Sequence, residues 1–348
     1  MPLQTADATW ELISQRGVMA ASIVYALALA GYVAEWALSR RVTPQSAGAT
    51  DVVPHADPVA AVTAPQGTSP HTHAAPHPHG LPPEAPTWRA PVEAGFTREF
   101  AGRAGVTLTA VAALLHLVAL VSRGLAAQRV PWGNMYEFAL AGSFGAVLLY
   151  LVLSSRGGVR WLGLPVCLLV LTALMTASLT LYVPAGPLVP ALQSYWLVIH
   201  VVAAVIATGA FTVGAVTSAL YLLQTSRRGR RTTSSGRPRH KYLPDADTID
   251  QVAYRVHAFA FPVWTFAALI AGPIWAKYAW GRYWGWDPKE VWAFVTWVVY
   301  AAYLHSRATG GWRGRRAAVV ALVGFATVLF NFVGINMFGS GLHSYSGL

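Results

Sequence analysis

Three histidines at the ends of apolar segments are the residues of this chain best suited to hold an iron cofactor. His200 follows the apolar run LQSYWLVI, His305 follows VVYAAYL, and His343 lies in GLHSYSG near the C-terminus. Neutral imidazole is the usual axial ligand of haem iron, and two imidazoles can fill both axial positions. Taken singly, His200 and His343 are each more readily explained as a hydrogen-bonded structural residue. His305 lies within a predicted span, where an ionisable residue is a functional candidate by default. Together with a tryptophan-rich motif, His200 and His343 predict a bis-histidine haem site, and His305 predicts a ligand of a second one.

The tryptophan-rich motif is WGRYWGWDPKE (280–290), which ends in a polar turn. Indole rings offer a platform for a flat apolar ligand, and glycine lets a ligand or another backbone approach closely. The alternative is an interfacial belt of aromatic residues, common in membrane proteins. A belt explains poorly why three tryptophans and a tyrosine fall within seven residues. We therefore predict that Trp280, Trp284 and Trp286, with Gly281 and Gly285 between them, form a platform for a flat apolar ligand.

The same motif also predicts where a helix begins. Proline is favoured at the first helical position, so Asp287 and Pro288 mark a helix start. From there to His305 an α-helix rises ~24 Å, which separates this histidine from the tryptophans by most of a bilayer core. The sequence does not show a clear second ligand for the His305 site. His257 and His116 are the options within this chain, but His116 is better explained by a hydrogen bond between helices and His257 by the start of a helix.

Three charged residues are weaker candidates for the site. Lys277 and Arg282 flank the first tryptophan of the motif, and either could pair with the propionates of a haem. Glu137, in VPWGNMYEF, lies at a predicted helix start, where a carboxylate stabilises the helix electrostatically. The alternative for Glu137 is that it positions a ligand or a partner.

The composition is that of a membrane protein. Of the 348 residues, 55% are hydrophobic and only 11% are charged, whereas soluble domains carry about 25% charged residues. The formal net charge of +11 does not indicate nucleic-acid binding, because the basic residues lie between the apolar segments. With Cys167 as its single cysteine, the chain holds no CxxC or CxxCH, so it is neither a dithiol relay nor itself a c-type cytochrome.

These features predict an all-α integral membrane protein of about eight transmembrane helices. A span needs about 20 predominantly apolar residues. The predicted spans are 18–38, 104–122, 136–154, 161–183, 196–223, 256–276, 289–306 and 317–338. Pro262 and Pro273 predict a kink in the sixth span.

The placement of lysine and arginine predicts that both termini lie on the outer side. Segments 39–103, 154–160, 224–255 and 307–316 hold 19 of the 25 basic residues, and such residues favour the cytoplasmic side. The tryptophan motif and the predicted iron-binding pair then share the outer face, whereas His305 lies near the inner one.

Three regions are expected along the chain. Residues 1–38 hold the first transmembrane helix, and residues 104–348 form a seven-helix membrane domain with the tryptophan loop at 276–289. Between them, residues 39–103 are a low-complexity cytoplasmic loop rich in proline, alanine and histidine, as in PHTHAAPHPHG. Its histidines are most simply incidental to a solvated linker.

The segment WGRYWGWDPKEVWAFVTWVVYAAYLHSR, with LQSYWLVIH upstream and GLHSYSG downstream, closely resembles the CcsA family, called CcsB or ResC in some bacteria. These are haem-handling proteins of system II cytochrome c biogenesis, and the resemblance covers approximately residues 100–348. The tryptophan motif, known as the WWD motif, also occurs in the system I relatives CcmC and CcmF, but eight spans and the GLHSYSG end favour CcsA. In the family, the outer histidine pair matches His200 and His343, and the intramembrane histidine matches His305. The platform for the bound substrate, haem b, matches Trp280 to Asp287.

The resemblance implies a role in cytochrome c maturation at a bacterial plasma membrane. With a CcsB/ResB-type membrane partner, which is thought to supply the second inner ligand, the protein moves haem outward. It then presents haem for attachment to the CxxCH cysteines of apocytochrome c, which a thioredoxin-like reductant keeps reduced. The chain would be a subunit of a haem–apocytochrome c synthase and would act by positioning, with no catalytic side chain.

Two other functions compete with this interpretation. A b-type electron-transfer subunit would need stacked histidine pairs on the same helices, which His200, His305 and His343 do not supply. A small-solute secondary transporter usually shows internal repeats and broken helices around a polar midplane site. No convincing repeat is visible, and the polar residues cluster at the membrane faces.

Overall fold

The computed structural model of the protein describes residues 2–41, 89–186, 194–229, 242–339 and 341–342, and this part of the chain is helical with no strand. Its helices are α1 (Pro2–Arg41), α2 (Arg89–Ala127), α3 (Met135–Ser155), α4 (Gly163–Thr180), α5 (Tyr195–Gly229), α6 (Ala246–Thr265), α7 (Gly272–Trp280), α8 (Pro288–Ala308), α9 (Arg315–Leu329) and α10 (Ile335–Phe338). The all-helical architecture predicted from the sequence is confirmed.

Seven helical segments of the described chain are long and apolar enough to cross a membrane. They are Asp7–Ser39, Gly95–Ala127, Met135–Ser155, Arg160–Thr180, Tyr195–Ser226, Ala246–Trp280 and Arg315–Phe338. Each contains most or all of one predicted span. The remaining predicted span, 289–306, forms helix α8 but is not among the seven, since tryptophans, tyrosines and charged residues at both ends lower its hydropathy.

Helix α2 begins well before the predicted span, which corrects part of the loop predicted at 39–103. The helix starts at Arg89, so its first turns lie within that loop. Glu99 and Arg103 form an i,i+4 ion pair of 3.3 Å on this polar extension, and such pairs support a helix beyond its apolar part. The rest of the loop, 42–88, with its five histidines, lies outside the described residues.

The sixth predicted span is interrupted, as its prolines predict. Pro262 lies inside α6, and Pro273 lies in the first turn of α7. A π-helical turn at Phe266–Ala271 joins the two helices. Such turns are rare, and they occur often at functional sites. A second π-helical turn, Phe330–Gly334, joins α9 to α10.

Helix α5 packs against α3, α6 and α9, and also contacts α7. Its contact with α3 depends on small residues, since a Cβ added at Gly209 would lie 2.7 Å from the carbonyl carbon of Gly145. Close backbone approach through glycine is typical of helix pairs in membranes. On its other side, Phe211 stacks on Tyr300 of α8 with ring centroids 3.8 Å apart. The N-terminal part of α5, which carries His200, is thereby held among the other helices.

Candidate functional site

A cavity of about 930 Å³ opens between the helices, bounded by α3, α4, α5 and α7 to α9. Its walls are mainly apolar, and His200, Lys289 and Glu290 are the ionisable residues among the described residues that line it. Ligand pockets typically measure about 300–1,000 Å³ and combine apolar walls with a few placed polar groups. The cavity therefore has the size and chemistry of a site for a large apolar ligand.

His200 stands on the wall of this cavity with one ring nitrogen already engaged. Its Nδ1 lies 2.9 Å from the backbone carbonyl of Ala267. A carbonyl only accepts, so Nδ1 carries the proton and donates it, which leaves the Nε2 lone pair for a ligand. The ring also stacks on Trp275, with 5.8 Å between centroids and 14° between planes. Histidines that bind metals are commonly oriented by such a second hydrogen bond.

The π-helical turn explains how the Ala267 carbonyl meets His200. In this turn the Gly272 N–H bonds back to Ala267, a wider step than in an α-helix. Gly272 also leaves room for the imidazole, because a Cβ there would lie 3.2 Å from its ring atoms. Neither role was predicted from the sequence. The proline pair around this turn was the available signal, but it indicated only an interruption.

The three tryptophans of the motif separate into different environments. Trp284 lines the cavity, and its buried indole N–H has no hydrogen-bond acceptor in the described part of the chain. Trp280 packs on Trp275, with 4.7 Å between ring centroids, beside the ring on which His200 stacks. Trp286 is 69% exposed and meets Trp284 edge to face at 5.8 Å. The predicted platform of three indoles thus has one ring in the cavity, one behind it and one outside.

The two glycines of the motif shape its turns. Gly281 ends α7 with φ of +75° and donates its N–H to the carbonyl of Lys277 at 3.0 Å, as glycine does readily at helix ends. Gly285 leaves space for the guanidinium of Arg282, which a Cβ would overlap. Trp286 itself adopts a left-handed backbone with φ of +58°, an uncommon conformation for a bulky residue.

Asp287 is the N-cap of α8, as the sequence predicts. One carboxylate oxygen accepts the N–H of Lys289 at 3.2 Å. Glu290 completes a capping box by accepting the N–H groups of Asp287 and Gly285 at 3.1 and 2.8 Å. The other oxygen of Asp287 accepts the N–H of Leu342 at 2.7 Å. Asp287 thus joins the tryptophan motif to the C-terminal segment, a role not predicted from the sequence.

His343, the predicted partner of His200, lies outside the described residues. Leu342 precedes His343 in the sequence, and its N–H donates to the carboxylate of Asp287. Asp287 directly follows Trp286 of the tryptophan motif. The structure therefore brings His200 and Trp284 to one cavity. A hydrogen bond also joins Leu342, the residue before His343, to Asp287 of the tryptophan motif.

His305 is not part of this cavity. It is exposed near the C-terminal end of α8, ~24 Å along the helix axis from Lys289. Two residues on, Arg307 binds Asp250 of α6 through both nitrogens at 2.9 Å. This pairing fixes the far end of α8 beside the start of α6. The cavity end of α8, at Lys289, and its far end, at His305, are therefore separate regions, as the sequence predicts.

His116 and His257 are both fully buried. The ring of His116 makes no hydrogen bond of good geometry within the described chain, and only the Leu140 carbonyl of α3 approaches it. The expected bond between helices is therefore weak, and the ring packs edge-on against Phe144 with centroids 5.4 Å apart. For His257, the helix-start interpretation is wrong, because α6 begins at Ala246.

The earlier start of α6 has a local cause. The carboxylate of Asp245 accepts the N–H of Thr248 at 2.6 Å and caps the helix before its apolar part begins. His257 is therefore in mid-helix, where its Nδ1 lies 2.7 Å from the carbonyl of Ala253. Its ring centroid is 5.0 Å from that of Tyr303. These contacts make His257 part of the packing between α6 and α8.

Glu137 lies in the first turn of α3, as predicted, and it is completely buried. Its two oxygens bind Arg123 at 2.9 Å and Arg129 at 2.7 Å. One of them also accepts the N–H of Gly133 at 2.7 Å. This network joins α2, the following loop and α3, so the geometry supports the structural interpretation of Glu137.

Lys277 and Arg282, the predicted propionate partners, are exposed and do not line the cavity. Lys277 donates to the carbonyl of Gly281 at 2.9 Å. The basic residue that does line the cavity is Lys289.

Comparison with known proteins identifies the family. Residues 132–343 match the model of the family described as Cytochrome C assembly protein. The chain is 37% identical over 285 residues to the cytochrome c biogenesis protein CcsA of Synechococcus elongatus, which covers 70% of this chain and 86% of that protein. It is 34% identical over 281 residues to CcsA of Porphyra purpurea, and this alignment covers 69% of this chain and 88% of the relative. It is 32% identical over 294 residues to CcsA of Gloeobacter violaceus, and this alignment covers 70% of this chain and 86% of the relative.

The matched region contains α3 to α10, the cavity, His200 and the tryptophan motif. The alignments cover at least 86% of each of these three relatives. This chain therefore belongs to the CcsA family of cytochrome c biogenesis proteins, and it is a multi-pass membrane protein that functions in cytochrome c maturation.

Proposed function

We propose that the cavity binds haem b as cargo and presents it for covalent attachment to apocytochrome c. The observation that carries this proposal is His200, whose imidazole is fixed at Nδ1 and leaves Nε2 for a ligand on the wall of an apolar cavity. A porphyrin is a large flat apolar ring around a metal that imidazole binds. The cavity volume of about 930 Å³ and the indole of Trp284 suit such a ring.

The second axial ligand in this proposal is His343. Support comes from Leu342, whose N–H is bound by Asp287 beside the tryptophan motif. A ligand on a segment that Asp287 binds through the N–H of Leu342 can leave the iron when the histidine of an incoming CxxCH motif replaces it. The hydrogen bond between Leu342 and Asp287 would thus serve both the binding of haem and its release.

The attachment itself requires positioning and no nucleophile from this chain. Each cysteine thiol of the apocytochrome adds across one vinyl group: a C–S bond forms, the C=C π bond breaks, and the thiol hydrogen ends on the other vinyl carbon. His200 holds the iron, and the apolar walls exclude water. A thioredoxin-like reductant keeps the acceptor thiols reduced before the addition.

His305 belongs to a second, inner haem site in this proposal. It is exposed at the far end of α8, where a ligand from another chain can approach it. A CcsB/ResB-type membrane protein would supply that ligand, and haem would pass from this site to the outer one. The distribution of basic residues supports a topology with the termini and the tryptophan motif outside a bacterial plasma membrane and His305 near the inner face.

Haem ligation by the purified full-length protein in detergent tests the proposal. Wild type supplied with haem should show the absorption spectrum of a low-spin bis-histidine haem. His200→Gly should lose that spectrum, and added imidazole should restore it by filling the space left by the side chain. His305→Gly is the matched control and should keep the spectrum, because haem is supplied directly. An unchanged spectrum in His200→Gly would contradict the proposal.

A second assay separates cytochrome maturation from electron transfer. Haem-loaded protein mixed with a reduced CxxCH peptide should yield a peptide with covalently attached haem. Haem that stays on the protein under these conditions would favour a permanently bound electron carrier instead.

A further inference from the structure

Lys289 is a cation on the wall of the cavity, and it forms no ion pair within the described residues. Its Nζ lies 5.9 Å from the ring centroid of Phe138, which lines the same cavity. Within the described residues, Nζ makes no hydrogen bond, and no carboxylate oxygen lies within 4 Å of it. Asp287 attracts the ammonium group through space, but its oxygens accept the N–H groups of Lys289 and Leu342. Glu290 accepts the N–H of Gly285.

Two features make this position unfavourable for an unpaired ammonium group. Moving a charge from water to apolar surroundings carries a large free-energy penalty unless a counter-ion is present. Lys289 is also in the first turn of α8, and the N-terminus of a helix favours anions over cations. An anion bound between the ammonium group and the helix N-terminus offsets the desolvation penalty of the charge, and it also interacts favourably with the helix N-terminus.

Lys289 and His200 line the same cavity. A ligand that reaches His200 therefore has Lys289 within its surroundings. The occupant should be a large apolar molecule that carries at least one carboxylate.

We propose that Lys289 binds a propionate of the haem and thereby sets its in-plane orientation. This inference rests on the proposed function of the cavity. An axial bond at His200 leaves the ring free to rotate about the iron–nitrogen axis. A second contact at one edge stops this rotation and determines which edge carries the vinyl groups toward the acceptor. Lys289 is thus a positioning residue, and it replaces Lys277 and Arg282 as the candidate for this role.

Paired ligands that differ only in charge at the ring edge provide the test. Purified full-length protein is titrated with haem and with haem dimethyl ester, in which both propionates are capped. A hydrogen bond between charged groups implies that wild type prefers haem by roughly 10- to 150-fold. Lys289→Met should bind the two ligands equally, with its affinity for haem reduced by that factor. Lys289→Arg should keep most of the preference, since it keeps the charge.

Lys277→Met is the matched control, because that lysine lies in the same motif region but outside the cavity. It should discriminate between the ligands as wild type does. If Lys289→Met keeps the full wild-type preference, the role of Lys289 is overturned while haem binding at His200 stands. If wild type shows no ligation of haem iron at all, the proposed function fails and this inference fails with it.

Discussion

A substitution at Asp287 can remove the hydrogen bond to Leu342 without removing the N-cap of α8. Serine caps helices about as well as aspartate, but it has one side-chain oxygen in place of two and carries no charge. Asp287→Ser should therefore keep the bond to the first turn of α8 and lose the 2.7 Å bond to the Leu342 N–H. A hydrogen bond to a charged group contributes about 1.5–3 kcal/mol. The C-terminal segment should then open roughly 10- to 150-fold more often, at 1.4 kcal/mol per factor of ten.

Hydrogen exchange of the detergent-solubilised protein measures this opening directly. The C-terminal peptide that contains Leu342 should exchange faster in Asp287→Ser by that factor, while peptides from α5 remain unchanged. Asp287→Ala should give the same acceleration and should also destabilise the start of α8 by about 0.5–2 kcal/mol through the lost cap.

Glu290→Gln provides the control for this experiment. Glu290 accepts the N–H groups of Gly285 and Asp287 but does not contact Leu342. Its substitution should loosen the motif and leave exchange at Leu342 as in wild type. Equal exchange at Leu342 in wild type and Asp287→Ser would refute the role assigned to the carboxylate.

Two further predictions concern the buried network and the π-helical turn. Glu137→Gln should lower the free energy of unfolding by about 3–5 kcal/mol in chemical denaturation, because it leaves Arg129 without its carboxylate and Arg123 with only the partly exposed Glu11. The exposed Glu99→Gln should lower it by no more than about 1 kcal/mol, and equal losses would contradict this account. Gly272→Val should displace the His200 ring and weaken haem binding at least about tenfold. The haem affinity of Gly272→Ala should lie between those of Gly272→Val and wild type. Gly95→Val, where an added Cβ meets nothing within 4 Å, should have no effect, and unaltered binding in Gly272→Val would rule out the steric argument.

Local features of the chain were predictable because they depend on residues close in sequence. Apolar runs of sufficient length define seven of the predicted spans. Pro262 and Pro273 indicate the break after α6, and Asp287 before Pro288 indicates the start of α8. Helix starts outside the apolar runs were missed, since Ala246 follows a polar cap rather than a hydropathy change.

The sequence by itself determined the helical membrane architecture and the family, and it indicated His200 and Trp284, which line the cavity. The tertiary structure decided what each of them does: which nitrogen of His200 is engaged, which tryptophan enters the cavity, and which lysine faces it. Periodicity and capping specify one helix at a time. The Ala267 carbonyl, the space at Gly272 and the carboxylate that holds Leu342 act across helices far apart in the chain, so only the packing of those helices could bring them together.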